Sequence, residues 1–370
     1  MSEEERLIRD TAARFVAQEL LPREGAFLKQ KEPFVPPGDP PRRKLDGGVE
    51  KSLIEKAKRA GLWALELPEA AGGSSVGQVG RVLIYQEFGR TVLPFEPPSI
   101  PAAVAASPYA ARLASGDLSL ALVFDESHKT GDLSAVRATY GRSAGGYDLD
   151  SDGIDVIDPD RDLYLLPALE HGGGVGLFLV EKTAPGARTE GAADLNNDQT
   201  TARLRLSVRR LPDDHRIGSA ADAEAIIASE QLRIAARSLG MATRCLEASL
   251  EHARNRVTFG RLLSSRQAVQ WMLADLAVDL RTSTWLTLEA AWKADCGRPY
   301  FADAALAKKR SARMAFEAAD KAIQIHGGYG VAREFPFEGF YREARLMRLL
   351  YGREAELDRK VGERFAGTGL

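Results

Sequence analysis

IIASEQLRIAARSLGMATRCLEASLEHARNR, residues 226–256, is a proline-free run whose apolar positions recur at helical spacing over about eight turns. Two more runs of this kind follow, QAVQWMLADLAVDLRTSTWLTLEAAWK (267–293) and DAALAKKRSARMAFEAADKAIQIH (303–326), with glycine at each break. Alanine has the highest helix propensity, so residues 221–370 read as a C-terminal four-helix bundle. Toward the N-terminus the period changes. Short β-rich runs, LSLALVF, GYDLD, DLYLLPA, VGLFLVEK and TARLRLSV, are punctuated by glycine, aspartate and proline between residues 117 and 220, which predicts a middle β domain, barrel-like in form. Residues 1–116 return to helical spacing in VEKSLIEKAKRAGLWAL and QVGRVLIYQEFGRTV, and predict an N-terminal helical domain. The first helix, carrying Leu7, Ala12, Phe15, Val16 and Leu20, is expected to stop before Pro22, because proline lacks an N–H and clashes with the preceding turn. Residues 31–48, with five prolines and three glycines, read as an irregular connection. The fold class is thus α+β and multidomain.

The chain has 370 residues, 44% of them hydrophobic, and 50 Lys+Arg against 52 Asp+Glu, for a net charge of -2. Such a balance gives no electrostatic reason to expect nucleic acid or an anionic membrane as partner. No apolar run approaches the roughly 20 residues needed to span a bilayer. Cys245 and Cys296 are too few for a disulfide framework or a cysteine-rich metal site, and the five histidines are scattered, so no metal centre is expected. The start, MSEEERLIRDTAARF, is acidic and amphipathic, without the basic start and apolar core of a secretion signal. These features together predict a cytoplasmic protein with a small ligand.

The last third carries more specific strings. Arg256-Val257-Thr258-Phe259-Gly260-Arg261, Gln267-Ala268-Val269-Gln270 followed by Leu273-Ala274-Asp275-Leu276, Gln324-Ile325-His326-Gly327-Gly328-Tyr329-Gly330 and Tyr341-Arg342-Glu343-Ala344-Arg345 occur in that order. Nearer the start stand Gly61-Leu62, Pro68-Glu69, Gly72-Gly73 and Glu87-Phe88-Gly89-Arg90. Together they resemble the acyl-CoA dehydrogenase family along nearly the whole chain. The glycines at 327, 328 and 330 would let a backbone approach a flat ring or a pyrophosphate closely. The resemblance implies FAD as cofactor, held partly across a subunit interface. Arg256 would meet its pyrophosphate, Phe259 would lie near it, and Gln324, Gly327 and Gly328 would line its adenosine half. It also implies an acyl-CoA substrate, a homo- or hetero-oligomer, either dimer or tetramer, and an electron-transferring flavoprotein as electron acceptor. His326 reads as structural.

Desaturating a thioester between Cα and Cβ requires a base over Cα and a donor to the thioester carbonyl. By resemblance the usual base follows the arginine-rich helix by a short loop, in a segment that here reads Leu350-Tyr351-Gly352-Arg353-Glu354, where glycine replaces the glutamate. Glycine cannot accept a proton. Isovaleryl- and long-chain-type members carry the base instead on the first long helix of the bundle, ten residues before a helix glycine, and Glu230 stands ten before Gly240. Glu230 is therefore the candidate base, with pairing to Arg233 as its structural alternative. Gly352 would keep a backbone N–H for the thioester carbonyl and leave room for a branched or bulky acyl group. Glu354 and Glu356 are displaced candidates. The family's flavin-covering loop and strand correspond to Phe124–Asp132 and Gly153–Asp158, where neither motif is intact. That departure leaves open a non-catalytic or flavin-poor subunit of a heteromeric dehydrogenase; an acyl-CoA oxidase is a further alternative. His171–Gly176 reads as a hairpin loop, and Arg209-Arg210 as either a CoA-phosphate contact or a solvated strand end.

Overall fold

The computed structural model describes residues 2–29, 45–124, 132–195, 199–332 and 334–368. Helix α1 (Glu3–Phe15) begins with a capping box, Ser2 and Glu5 each bonding the other's backbone N–H. The α-helix itself ends before Pro22, as expected, but the chain stays helical beyond it. A π-helical turn over Val16–Leu20 leads directly into α2 (Leu21–Leu28), placing the proline in a first turn, where its missing N–H has no partner to lose. α3 (Gly47–Arg59) is capped by Asp46, so the last two glycines of the proline-rich connection open a helix; residues 31–44 of that connection lie outside the described residues. α4 (Gln78–Phe88) and α5 (Ala110–Ser115) complete the N-terminal helices. Phe15, Phe88 and Phe95 meet at ring centroids 5.6–6.4 Å apart in their core.

Among the described residues eight strands follow: β1 (Leu120–Leu122), β2 (Thr139–Ser143), β3 (Gly146–Ile157), β4 (Leu163–Glu170), β5 (Val175–Glu181), β6 (Ala187–Asp194), β7 (Thr200–Leu211) and β8 (Arg216–Ser219). They form one sheet in the order β6-β7-β3-β2-β4-β5-β8, with β1 beside β4. The long pair β3 and β7 runs antiparallel with Leu149 opposite Val208 and Ile154 opposite Leu204. On β7, Ala202, Leu204, Leu206 and Val208 point inward on the two-residue period of a strand. Residues 171–174 join β4 to β5 as the hairpin loop read from the sequence. Arg209 pairs with Asp150 across the sheet at 2.7 Å, a strand-end ion pair.

The C-terminal helices are α6 (Ala220–Asn255), α7 (Gln267–Asp295), α8 (Phe301–His326), α9 (Phe337–Met347) and α10 (Glu354–Thr368), with a small hairpin of β9 (Val257–Thr258) and β10 (Arg261–Leu262) between α6 and α7. α6 opens on a second capping box, Ser219 with Asp222, and extends about 54 Å. It is buried through its first half because α4 crosses it on one side and α8 on another. Gly240 makes the α4 crossing feasible: a Cβ there would sit 2.0 Å from the Gln86 carbonyl oxygen, and one on Gly89 would sit 2.3 Å from that of Arg237. The helix glycine that registers Glu230 is thus dictated by a backbone-on-backbone approach.

Candidate active site

Three polar residues in succession, Ser229, Glu230 and Gln231, are buried on α6, with Glu230 only 1% exposed. Burial of that kind requires partners, because an unpaired charge in a low-dielectric interior costs several kcal/mol or more. Glu230 has them. Arg233, one turn on, donates through Nε (2.9 Å) and a terminal nitrogen (2.7 Å) to Glu230 Oε2. Ser99 Oγ lies 2.6 Å from Glu230 Oε1 and 3.2 Å from Glu66 Oε1; its single proton can serve one carboxylate at a time. The network continues on both sides. Glu66 pairs with Arg81 at 2.5 Å, Arg233 also reaches Glu96, and Arg237 joins Glu96 (2.6 Å) to Glu343 (2.5 Å). Burial works to raise the Glu96 carboxyl, but Arg237 and Arg233 outweigh it and hold that group below the usual carboxylate range. So the Glu230–Arg233 pairing is made, although Glu230 is an interior side chain rather than a surface one.

Gly352 is buried in the loop between α9 and α10, beside that same stretch of α6. Contact is direct: Gln231 Nε2 donates to the Tyr351 carbonyl at 2.9 Å. From below, Lys308 on α8, fully buried, donates to the carbonyls of Gly352 (2.6 Å) and Arg348 (3.3 Å). Burial pushes its ammonium down to about 7, against the pull of Glu354. The other carboxylates near this loop are engaged elsewhere, Glu354 with Arg348 at 2.6 Å and Glu356 with Arg359 at 3.3 Å. Glu230 and Gly352, read from distant parts of the sequence, are therefore linked through their neighbours: Gln231, next to Glu230, bonds the peptide that precedes Gly352.

Arg256, Phe259, Gln324, Gly327 and Gly328 lie together on a different surface. The ends of α6 and α8 are joined by the His252 and His326 rings, stacked with centroids 4.3 Å apart, and by Ala253, Val269 and Ile325 beneath them. His326 bonds the Ala322 carbonyl through Nδ1 at 2.8 Å, a packing role. Among the described residues no group of His, Cys, Asp and Glu has a metal-holding arrangement. Phe259 is 98% exposed at φ +49°, Arg256 and Gln324 are exposed, and a Cβ on Gly327 or Gly328 would meet nothing within 4 Å. A guanidinium, a free aromatic ring and open glycine backbone suit a dinucleotide approached from outside the chain. The middle domain adds less. β3 presents no aromatic ring over Gly153–Asp158, with Ile154 and Val156 turned into the core, and residues 125–131 of the loop expected to cover the flavin lie outside the described residues.

Sequence reasoning missed Ser99, Gln231 and Lys308. Only Lys308 left a signal, a cation at helical spacing between Ala304 and Ala312 on a face otherwise made of small buried residues. Ser99 and Gln231 matter through contacts 131 and 120 residues away in sequence, which no local pattern records.

Comparison with known proteins bears on the whole chain. Residues 2–115 match the family described as "Acyl-CoA dehydrogenase, N-terminal domain", and residues 220–365 match "Acyl-CoA dehydrogenase, C-terminal domain". The chain is 26% identical over 379 residues to (R)-benzylsuccinyl-CoA dehydrogenase of Thauera aromatica, covering 95% of this chain and 93% of that protein. It is 29% identical over 330 residues to an acyl-CoA dehydrogenase of Bacillus subtilis (strain 168), covering 81% and 86%. In fold it is similar to a chain of the ChsE4–ChsE5 complex from Mycobacterium tuberculosis, with a TM-score of 0.82, 22% identity and coverage of 100% and 98%. Members of this family are FAD flavoproteins. With its helices, central sheet and bundle in the family's order, the chain belongs to the acyl-CoA dehydrogenase family, oxidoreductases that act on a CH–CH bond.

Proposed function

We propose that this chain catalyses α,β-dehydrogenation of an acyl-CoA thioester with Glu230 as base and the Gly352 N–H as donor to the thioester carbonyl. One observation carries this reading: Glu230 is buried, and its neighbour Gln231 bonds the loop that holds Gly352, which supports a single site for the lost base position and the alternative one. Glu230 Oε2 stays with Arg233, and Oε1, now held by Ser99, is the oxygen to receive the Cα proton. FAD would supply the acceptor for the hydride that leaves Cβ. Arg256, Phe259, Gln324, Gly327 and Gly328 would hold its outer half. Because glycine at 352 leaves space, a branched or bulky acyl group suits the site. An electron-transferring flavoprotein as acceptor and a cytoplasmic setting, the latter in keeping with the free Cys245 and Cys296, complete the reading.

An exposed cofactor surface needs a second subunit, and α7 offers a seam for one. Trp271, Val278, Trp285 and Trp292 recur every seven residues and are 61, 63, 74 and 46% exposed. Side chains of this size leave about 500 Å² of apolar surface on one face, more than an isolated soluble chain usually shows. Two copies packed antiparallel would set Trp271 against Trp292 and Val278 against Trp285, removing about 1,000 Å², near the lower bound for a specific interface. The occupant is a second copy of this chain.

The test is the purified Glu230→Gln protein beside wild type, titrated anaerobically with acyl-CoA thioesters. Wild type should be yellow and bleach, while Glu230→Gln should hold flavin and stay coloured. Equal bleaching by both removes Glu230 from the mechanism. A colourless wild type that gains flavin only with a different chain supports a second reading, a flavin-poor subunit of a heteromer. The absence of an aromatic ring over Gly153–Asp158 favours that second reading, as does the likeness to a chain from a complex of two named subunits.

A further inference from the structure

The two peptides that flank Gly352 are each tied at the carbonyl by a buried side chain from a different helix. Gln231, 2% exposed on α6, donates to Tyr351 O at 2.9 Å, and Lys308, 0% exposed on α8, donates to Gly352 O at 2.6 Å. Both residues of the loop have positive φ, +50° for Tyr351 and +110° for Gly352. A tyrosine in the left-handed region is strained, and such strain persists only where the surroundings over-determine the backbone. These two donors do so. At φ +110° the backbone itself demands glycine, whatever the chemistry of the site.

In a trans peptide the C=O and the following N–H lie on opposite edges of one plane. Fixing Tyr351 O with Gln231 therefore also fixes the direction of the Gly352 N–H. Gly352 is buried, and among the described residues no group accepts from its N–H. Buried backbone donors are nearly always paired, so an open one marks a place where a ligand atom belongs. A hydrogen bond accepted at the carbonyl also polarises the peptide and strengthens its N–H as a donor.

We infer that Gln231, with Lys308 beneath the next peptide, is the positioning residue that aims the Gly352 N–H at the carbonyl oxygen of the bound thioester. The inference rests on the thioester reading proposed above. It adds that one rigid helix governs both halves of the site: Glu230 takes the Cα proton, and its neighbour Gln231 sets the donor that stabilises the enolate oxygen.

Gln231→Met keeps the length of the side chain and removes the donor. Flavin-loaded wild type and variant are each saturated with the tightest-binding member of a 2-enoyl-CoA series labelled with ¹³C at the thioester carbonyl, and the carbonyl stretch is read by infrared difference spectroscopy. Wild type should shift the band to lower frequency, and Gln231→Met should lose most of the shift. With it, kcat should fall about tenfold or more while KM moves by less than about threefold, the pattern of an interaction stronger in the transition state. Gln231→Arg, which retains a donor, should recover part of both. A full shift in Gln231→Met overturns the positioning role while leaving the thioester reading intact. A wild-type band unmoved from its position in water overturns the thioester reading and this inference with it. Should Gln231→Met fail to fold, Gln231→Asn withdraws the amide by one methylene and carries the same expected loss.

Discussion

Alanine placed at Gly240 should destabilise the protein, although the same change in an open helix interior is stabilising. Relative to alanine, glycine costs a helix about 1 kcal/mol, and that is the gain available from Gly240→Ala. Against it stands the crossing of α4. The added Cβ would lie 2.0 Å from the Gln86 carbonyl oxygen and 2.8–2.9 Å from backbone atoms of Gly89. Relief requires one helix to retreat by about 1 Å, because the obstructing atoms are backbone and cannot rotate away; overpacking of this kind costs about 3 kcal/mol. The net is a loss of about 2 kcal/mol. A chain of this size responds by a fall of about 2–3 degrees in Tm, read by differential scanning fluorimetry on flavin-loaded protein. Gly362→Ala is the control: it sits in α10 with nothing within 4 Å of a Cβ, so it should be neutral or slightly stabilising. A Gly240→Ala protein as stable as wild type would refute the close crossing, and with it the packing argument that registers Glu230 on α6.

Two other perturbations probe separate parts of the molecule. Trp285→Lys places a charge at the centre of the α7 stripe and should shift the protein to a lower oligomeric state by light scattering, with flavin retention falling in parallel; an unchanged mass would exclude that face as the seam. Lys308 sets a pH dependence. Its folded pKa of about 7 lies below the 10.5 of the unfolded chain, so below pH 7 it is charged in both states and the cost of burying the charge is present in full. From pH 7 to 10.5 only the unfolded chain retains the proton, and stability from this group climbs by about 1.4 kcal/mol per pH unit. Denaturant titrations across that window should show the rise in wild type and a flatter profile in Lys308→Met; parallel profiles would mean that Lys308 is not buried as a cation.

Apolar periodicity in the long helices and strands was local information, carried by the chain itself, and so were the ordered strings around Arg256 and Gln324. That was enough for the architecture and the family. Three strands, Thr139–Ser143, Ala187–Asp194 and Arg216–Ser219, escaped the reading because they are short or polar and gain their order from neighbours in the sheet rather than from an apolar period. The helical path that joins α1 to α2 escaped it too, since a π-helical turn that resets a helix ahead of a proline has no composition of its own.

The sequence by itself determined that a glutamate stands ten residues before a helix glycine and that glycine occupies the usual base position. Only the tertiary structure decided what those two facts mean together. The hydrogen bonds from Gln231 on α6 to the 351–352 loop and from Ser99 to Glu230 close contacts across more than a hundred residues of chain, and Lys308 on α8 ties the same loop from 44 residues away. Such partners are chosen by three-dimensional proximity and by the demand that buried polar groups be satisfied, and neither is written in the spacing of any one segment.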